Sequence, residues 1–235
     1  MWQCVLLSHT QTRSSFVGVM ETSGIHAISP DLIRSDKTIV VTGIGRSGTT
    51  AMTKVLQAIG MPKTGVRKDS TQDDHLLGKL IESRDFGGFK DEVTRRDAMF
   101  STWGFKWHLM WNHPEYLRAL RNPLMICMSR DSLAITQRSI RDPVEQSGIS
   151  YAEKVTIHQS SMWHYILQCR WLPIIVVSYE KLITKPSEVV LELSKLTGFT
   201  ASDKAVQEVV PEDPRYLYPG RYREEGSDGY QTDEG

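Results

Sequence analysis

The stretch that decides the fold is KTIVVTGIGRSGTT, residues 37–50. Its first six residues are rich in β-branched side chains, which predicts a strand from Lys37 to Thr42. The next eight, Gly43 to Thr50, hold three glycines, an arginine and three hydroxyl side chains, and apolar residues at helical spacing then predict a helix from Ala51 to Ile59. Backbone N–H groups and the positive end of a helix converge in such a turn. We therefore expect residues 43–50 to bind a phosphate, the alternative being a plain turn that needs glycine.

Two other apolar segments have the character of buried strands, PLMICMS at residues 123–129 and PIIVVSY at residues 173–179. A short strand is also expected within residues 103–108. Helices are predicted for residues 131–141, 151–169 and 186–197. Continuous apolar strands separated by helices favour an α/β fold, with a central parallel sheet and helices on both faces. Ligands of such sheets bind beyond the carboxyl ends of the strands.

Length and charge narrow the class of protein. A chain of 235 residues fits one domain, which we place at residues 37–219, between a loosely attached polar leader (1–36) and a flexible tail (220–235). The chain has 28 basic and 28 acidic residues, and this balance argues against a nucleic-acid partner. No apolar run approaches the roughly 18 residues of a membrane span, so we expect no membrane partner.

The spacing of the cysteines and histidines indicates the cellular compartment of the protein and whether it has a metal site. Cys4, Cys127 and Cys169 are far apart and form no Cys-x-x-Cys motif, which favours free thiols in the reducing cytoplasm. The seven histidines include no i, i+4 pair of the kind that holds zinc on a helix. We therefore predict an enzyme without a metal site.

The loop nearly matches the nucleotide-triphosphate pattern G-x-x-x-x-G-K-[ST], with Gly43, Gly48 and Thr50 in register. Thr49, however, stands where the pattern requires lysine, and Arg46 is the cation within the loop. The fold class is thus P-loop NTPase-like, while the missing lysine counts against a kinase or GTPase. A nucleotide-dependent kinase stays open as an alternative. So does a non-catalytic module that binds phosphorylated nucleotides or sulfated glycans.

The segment GIGRSGTT resembles the 5′-phosphosulfate loop of sulfotransferases that use 3′-phosphoadenosine 5′-phosphosulfate (PAPS). Residues 127–140, CMSRDSLAITQRSI, look like the family's 3′-phosphate segment, and residues 177–199 look like its tyrosine-acid-x-leucine stretch with the following helix. The three blocks occur in the family's order. The resemblance implies transfer of a sulfuryl group from PAPS to a hydroxyl or amine of a small molecule or carbohydrate.

The resemblance also implies which residues hold the donor. These are Gly45, Arg46, Ser47, Gly48, Thr49, Thr50, Arg130, Arg138, Ser139 and Tyr179. Arg130 is the candidate for the 3′-phosphate, and Tyr179 for the adenine end. The family usually has a serine eight residues after this arginine, whereas here Arg138 occupies that position and the serine follows at 139. Either side chain is a candidate for the second 3′-phosphate contact.

The segment GFKWHLMW, residues 104–111, holds the catalytic candidates. On a strand, Lys106 and His108 would share one face. By resemblance to the lysine-x-histidine segment of cytosolic sulfotransferases, His108 is the general base and Lys106 the cation on the leaving phosphate, with Arg46 as the cation of the loop.

Two alternatives for this segment stay open. His108 could be a packed residue in a tryptophan-rich stretch, because Trp103, Trp107 and Trp111 have a four-residue spacing that suits a helix. The base could also be a carboxylate, as in many carbohydrate-type members of the family. The candidates are then Glu82, Asp85 and Asp91.

Overall fold

The structure is a computed structural model that describes residues 24–64, 72–140, 148–169 and 171–209. Strands β1 to β5 of these ranges are Ile25–Ile28, Lys37–Gly43, Thr102–Lys106, Leu124–Ser129 and Ile174–Ser178. Helices α1 to α9 are Thr49–Ala58, His75–Glu82, Phe86–Met99, Pro114–Arg118, Ser132–Ile140, Gly148–Gln168, Tyr179–Thr184, Pro186–Thr197 and Asp203–Gln207.

The strands form one sheet in the order β1-β5-β4-β2-β3. Strands β5, β4, β2 and β3 are parallel, which confirms the α/β fold predicted from the sequence. Strand β1 pairs antiparallel with β5, with Ile25 opposite Val177, and makes the sheet mixed. Residues 25–28 belong to the range 1–36 that we expected to be a loosely attached leader. A four-residue edge strand has too little pattern to be recognised before its partner is known.

Helices cover both faces of the sheet because neighbouring strand residues point to opposite sides. In β2, Val40 packs with Phe89 of α3 and Ile166 of α6 in one apolar cluster. Its neighbour Ile39 packs with Leu56 of α1 in the other cluster, to which α8 and α9 also contribute. All these side chains are buried, so the sheet is the middle layer of three.

The strand predicted at residues 103–108 ends earlier, at Lys106. The N–H of Trp107 still donates to the carbonyl of Val41 (3.0 Å), but the carbonyl of His108 turns to accept from the N–H of Gly43 (3.1 Å), which closes the β2–β3 ladder. The three tryptophans with four-residue spacing also do not lie along one helix. Trp103 lies in β3 and Trp111 in a short 3₁₀ turn, both buried.

Tyr179 begins helix α7 and does not end the third predicted strand. The side chain of Ser178 caps that helix by accepting a hydrogen bond from the N–H of Lys181 (3.2 Å), and this turns the chain into a helix one residue early.

The carboxyl ends of the four parallel strands meet at one edge of the sheet. Gly43 of β2 is level with Met128 of β4, and Ser129 is level with Ser178 of β5. On the other side of β2, Val41 is level with Lys106 of β3. The loops that follow these strands therefore lie side by side, as ligand sites of open α/β sheets require.

Candidate functional site

The glycine-rich loop makes a tight turn between β2 and α1. Arg46 (φ 67°) and Gly48 (φ 98°) both have left-handed backbone conformations. Within the turn the N–H of Ser47 donates to the carbonyl of Ile44 (3.0 Å). Alternating left- and right-handed residues form concave nests of N–H groups, which bind anions, and the N-terminus of α1 follows directly. The backbone has the form expected of a phosphate loop.

Gly48 is required both by its backbone and by a neighbour. A Cβ atom at this position would lie 2.2 Å from Cδ2 of Tyr179, far inside van der Waals contact. A Cβ atom at Gly45 would meet nothing within 4 Å. The loop is thus packed tightly against Tyr179 at one end and is open at Gly45.

Arg130 follows β4 and lies against the same loop. Its Nη1 donates to the carbonyl of Arg46 (2.8 Å), and its guanidinium stacks on the ring of Tyr179 at 4.4 Å. The side chain of Gln159 on α6 donates to the backbone carbonyl of Arg130 (3.1 Å). These contacts hold the guanidinium at the edge of the turn, while the Arg46 side chain itself is exposed.

Two buried polar atoms beside the loop have no hydrogen-bond partner among the described residues, Oγ of Ser47 and Nε of Arg130. Leaving such a group unsatisfied costs about 1–3 kcal/mol. Both atoms can donate to phosphate oxygens, so the residues present fit the phosphate groups that the resemblance implies.

Lys106 brings a second cation to this loop from the neighbouring strand. The residue is 5 % exposed, and its Nζ lies 3.3 Å from Oγ1 of Thr50 and 3.1 Å from Oδ1 of Asp73. The loop has Thr49, a buried residue, where nucleotide-triphosphate loops carry lysine. Lys106 thus brings an ammonium group to the same end of the loop.

His108 follows Lys106 by two residues, beyond the end of β3, and the two side chains interact electrostatically. Its carbonyl accepts from Oγ1 of Thr42 (3.1 Å) in addition to the N–H of Gly43. Burial lowers the pKa of His108 below its usual value, and Lys106 and His158 lower it further, whereas Asp73 and Glu82 raise it. The imidazole is therefore neutral at pH 7 and able to accept a proton.

A cavity of about 740 Å³ opens beside His108. Its lining residues are Ile81, Glu82, Arg84, Phe86, Trp107, His108, Leu109, His113, Glu115 and Tyr116. The rings of Phe86 and Tyr116 meet edge to face at 5.3 Å and form an aromatic wall. A cavity of this size suits a small molecule or a sugar unit.

Of the three carboxylates considered as bases, Glu82 lines this cavity. Asp85 accepts the N–H of Gly88 (2.9 Å) as the N-cap of α3, and Asp91 is exposed on the same helix. Neither is among the lining residues. The side chains of Arg138 and Ser139 lie outside the described part of the structure, as does Cys4.

Sequence reasoning missed Asp73, the ion-pair partner of Lys106. The only local signal was Asp-Asp before the apolar run of α2, which predicts an N-cap for Asp74 but says nothing of its neighbour. Cys127 and Cys169 are free and buried.

The described residues contain no group of three or more histidine, cysteine, aspartate or glutamate side chains that could hold a metal ion. None of the helices described is long and apolar enough to cross a membrane.

No protein-family profile matches the chain, and no curated protein matches its sequence. Solved structures do match. The sulfotransferase domain of the Synechococcus PCC 7002 olefin synthase is 12 % identical and aligns over 77 % of this chain and 82 % of its own, with a TM-score of 0.50. The sulfotransferase domain of the curacin biosynthetic pathway is 15 % identical over 76 % and 84 %, with a TM-score of 0.49. A Mycobacterium tuberculosis sulfotransferase is 14 % identical over 77 % and 73 %, with a TM-score of 0.48. The alignment with the olefin-synthase domain shows that the chain has the fold of that sulfotransferase domain.

Proposed function

We propose that this protein is an enzyme that transfers a sulfuryl group from PAPS to a hydroxyl or amine of a small molecule or carbohydrate. The observation that carries the proposal is the meeting of three features at one edge of the sheet. The glycine-rich loop ends at Thr50, Lys106 contacts that residue, and His108, which interacts electrostatically with Lys106, lines a cavity of about 740 Å³. A P-loop kinase, by contrast, has its lysine within the loop.

On the donor side, we assign the 5′-phosphosulfate to the loop from Gly45 to Thr50, including Arg46. The hydroxyl of Ser47 has no hydrogen-bond partner in the described ranges, and this supports the assignment. Arg130 is assigned to the 3′-phosphate because guanidinium groups bind phosphate oxygens in pairs and its Nε has no partner among the described residues. Arg138 or Ser139 remains the proposed second contact, and Tyr179 the residue nearest the adenine.

On the acceptor side, His108 takes the proton of the attacking hydroxyl onto an unprotonated imidazole nitrogen. The lowered pKa keeps this nitrogen unprotonated at pH 7. Lys106 offsets the negative charge that builds on the oxygen of the leaving phosphate, because its ammonium lies at the end of the loop. The donor, when bound, supplies the sulfuryl group. In this proposal the side chains of His108 and Lys106 accept the proton and offset the negative charge, and no metal ion is assigned to either role.

Binding of 3′-phosphoadenosine 5′-phosphate (PAP), the desulfated donor product, tests the donor site. Calorimetry with PAP and with ATP–Mg²⁺ should show binding of PAP. Arg130→Ala should weaken it about 10- to 100-fold, as expected for loss of a charged hydrogen bond. Arg95→Ala removes an exposed arginine on α3 and is the matched control. Binding of ATP–Mg²⁺ alone would favour the kinase alternative.

Transfer of radiolabelled sulfate from PAPS to a panel of hydroxyl and amine acceptors tests the reaction. His108→Ala should abolish turnover and leave the Kd for PAP as in the wild type. Tight PAP binding without transfer to any acceptor would contradict the enzyme assignment and favour the binding module.

A further inference from the structure

Two adjacent aspartates precede α2 and have opposite surroundings. Asp74 is fully buried, whereas Asp73 is 22 % exposed and faces Lys106. Neither is part of the loop or of the cavity lining. Their contacts show how the chain fixes a carboxylate beside the candidate catalytic pair.

Asp74 belongs to a buried ion network centred on Arg96, which is 1 % exposed. The guanidinium of Arg96 donates to the carboxylate of Asp74, to Glu92 (2.7 Å) and to Oγ1 of Thr64 (3.2 Å). It also stacks on the ring of Trp103 at 5.1 Å. Each of these groups has its charge or polar atom satisfied, so the network is a rigid anchor.

The backbone of Asp74 is anchored as firmly as its side chain. Its N–H donates to the carbonyl of Lys106 (3.4 Å), and its Oδ1 accepts the N–H of Leu77 (3.1 Å) as the cap of α2. Residue 74 is thereby tied to the end of β3. Because residue 73 immediately precedes residue 74, its carboxylate is held at the same strand end.

At that strand end, Oδ1 of Asp73 lies 3.1 Å from Nζ of Lys106, and the same Nζ lies 3.3 Å from Oγ1 of Thr50. Asp73 also acts on His108. Asp73 and Glu82 raise the pKa of His108, while Lys106 and His158 lower it. One carboxylate thus touches the cation of the site and acts electrostatically on its imidazole.

We propose that Asp73 is a positioning residue, which holds the Lys106 ammonium against the phosphate loop and sets a negative charge beside His108. The proposal deepens the proposed function and rests on it for its meaning in catalysis. The proposal gives Asp73 no contact with substrate or reacting atoms. Asp73 acts through Lys106 and His108, to which those contacts are assigned.

Removing the negative charge of Asp73 should change the affinity for PAP and the pKa of His108, each in a definite direction. Asp73→Asn makes the phosphate site more positive by one charge, so PAP should bind more tightly, on the order of tenfold. The same change removes a group that raises the pKa of His108, so that pKa should fall further. Turnover should drop because the ammonium is no longer held in place, while the KM for PAPS should not rise.

The experiment compares full-length wild type, Asp73→Asn and Asp203→Asn, in which the same substitution is made at an exposed site on α9. Histidine ring NMR follows the titration of His108, with the spectrum of His108→Gln for assignment. Calorimetry gives the Kd for PAP, and the pH profile of kcat should show its acid limb at lower pH in Asp73→Asn alone. Asp73→Ser, which also removes the charge, is the second variant should Asp73→Asn fail to fold.

The His108 titration decides the electrostatic part without reference to activity. An Asp73→Asn titration identical to wild type overturns the inference, even if the wild-type enzyme is active. In an active wild type, an unchanged kcat for the variant overturns the positioning of Lys106. A wild type that neither binds PAP nor transfers sulfate defeats the proposed function instead, and the NMR shift then still supports or refutes the role of Asp73 beside His108.

Discussion

The two sides of Lys106 are built in different ways. On the proposed donor side, Gly43 to Thr50 form a candidate site from consecutive residues, mostly with backbone groups. On the other side, the cavity is lined by side chains from α2 to α4 and the segments between them, and Arg96 anchors α2 and α3 to the sheet. A backbone-built site depends on a few glycines, whereas a side-chain-built site depends on how distant helices pack. The predictions below separate these two dependencies.

The largest effect is expected in the Arg96 network. Arg96→Met leaves Asp74 and Glu92 buried without their shared cation, so the free energy of unfolding should fall by about 3–5 kcal/mol. Urea unfolding measures this loss.

The control is the neighbouring Arg95→Met. Arg95 pairs with the same Glu92 but is 57 % exposed, so its removal should change stability little. Equal losses for the two variants would mean that burial of the charge is not what makes the acceptor side fragile.

A smaller effect is expected in the loop. Gly48→Ala has to tolerate both a left-handed backbone and the ring of Tyr179, 2.2 Å from the new atom. The backbone should cost about 1–2 kcal/mol, and the overpacking a further 1–3 kcal/mol. Urea unfolding again gives the difference.

Gly198→Ala is the matched substitution. Gly198 ends α8 with φ 76°, and a Cβ atom there would meet nothing within 4 Å, so only the backbone cost applies. If Gly48→Ala costs no more than Gly198→Ala, the ring of Tyr179 moves freely and the donor side is not rigidly packed.

The smallest effect concerns pH. The folded pKa of His108 lies below 6.5, because burial disfavours the imidazolium. In the unfolded chain the His108 imidazole binds a proton as the pH falls below about 6.5, whereas in the folded chain it binds that proton only at lower pH. Protonation therefore favours the unfolded chain, so the stability that the neutral imidazole allows is present at pH 7.5 and is lost towards acid pH.

His108→Gln removes that contribution. Between pH 7.5 and pH 5.5 the wild type should therefore lose more stability than the variant, by at most about 1.4 kcal/mol per pH unit. Thermal or urea unfolding at the two pH values measures the slopes. A steeper slope for the variant would show that Asp73 and Glu82 outweigh burial at this imidazole.

The donor side was readable because its signals are local. The strand, the turn and the helix of residues 37–58 follow from β-branched, glycine and apolar spacing, and the structure has them at nearly the predicted bounds. Position 179 was wrongly predicted to belong to the strand, because the apolar pattern continues to Tyr179. The helix begins there only because the Ser178 side chain accepts the N–H of Lys181, three residues further on. The antiparallel strand β1 was missed because its four residues acquire meaning only from β5.

The candidate catalytic pair was predicted by resemblance, and the expected geometry behind it was wrong. Lys106 and His108 do not share one face of a strand, since β3 ends at Lys106. The carbonyl of His108 turns back to accept the N–H of Gly43 at the end of β2, and its imidazole interacts electrostatically with Lys106. That hydrogen bond joins residues far apart in the chain, so it cannot be predicted from the local periodicity of the sequence.

The sequence by itself determined the α/β sheet and the tight glycine-rich turn, because backbone preferences and glycine tolerance operate over a few consecutive residues. The tertiary structure alone decided that Asp73 meets Lys106, that Glu82 lines the cavity while Asp85 caps a helix, and that Arg96 is buried. The surroundings of a charged side chain depend on which distant elements pack against it. Spacing along the chain does not contain that information.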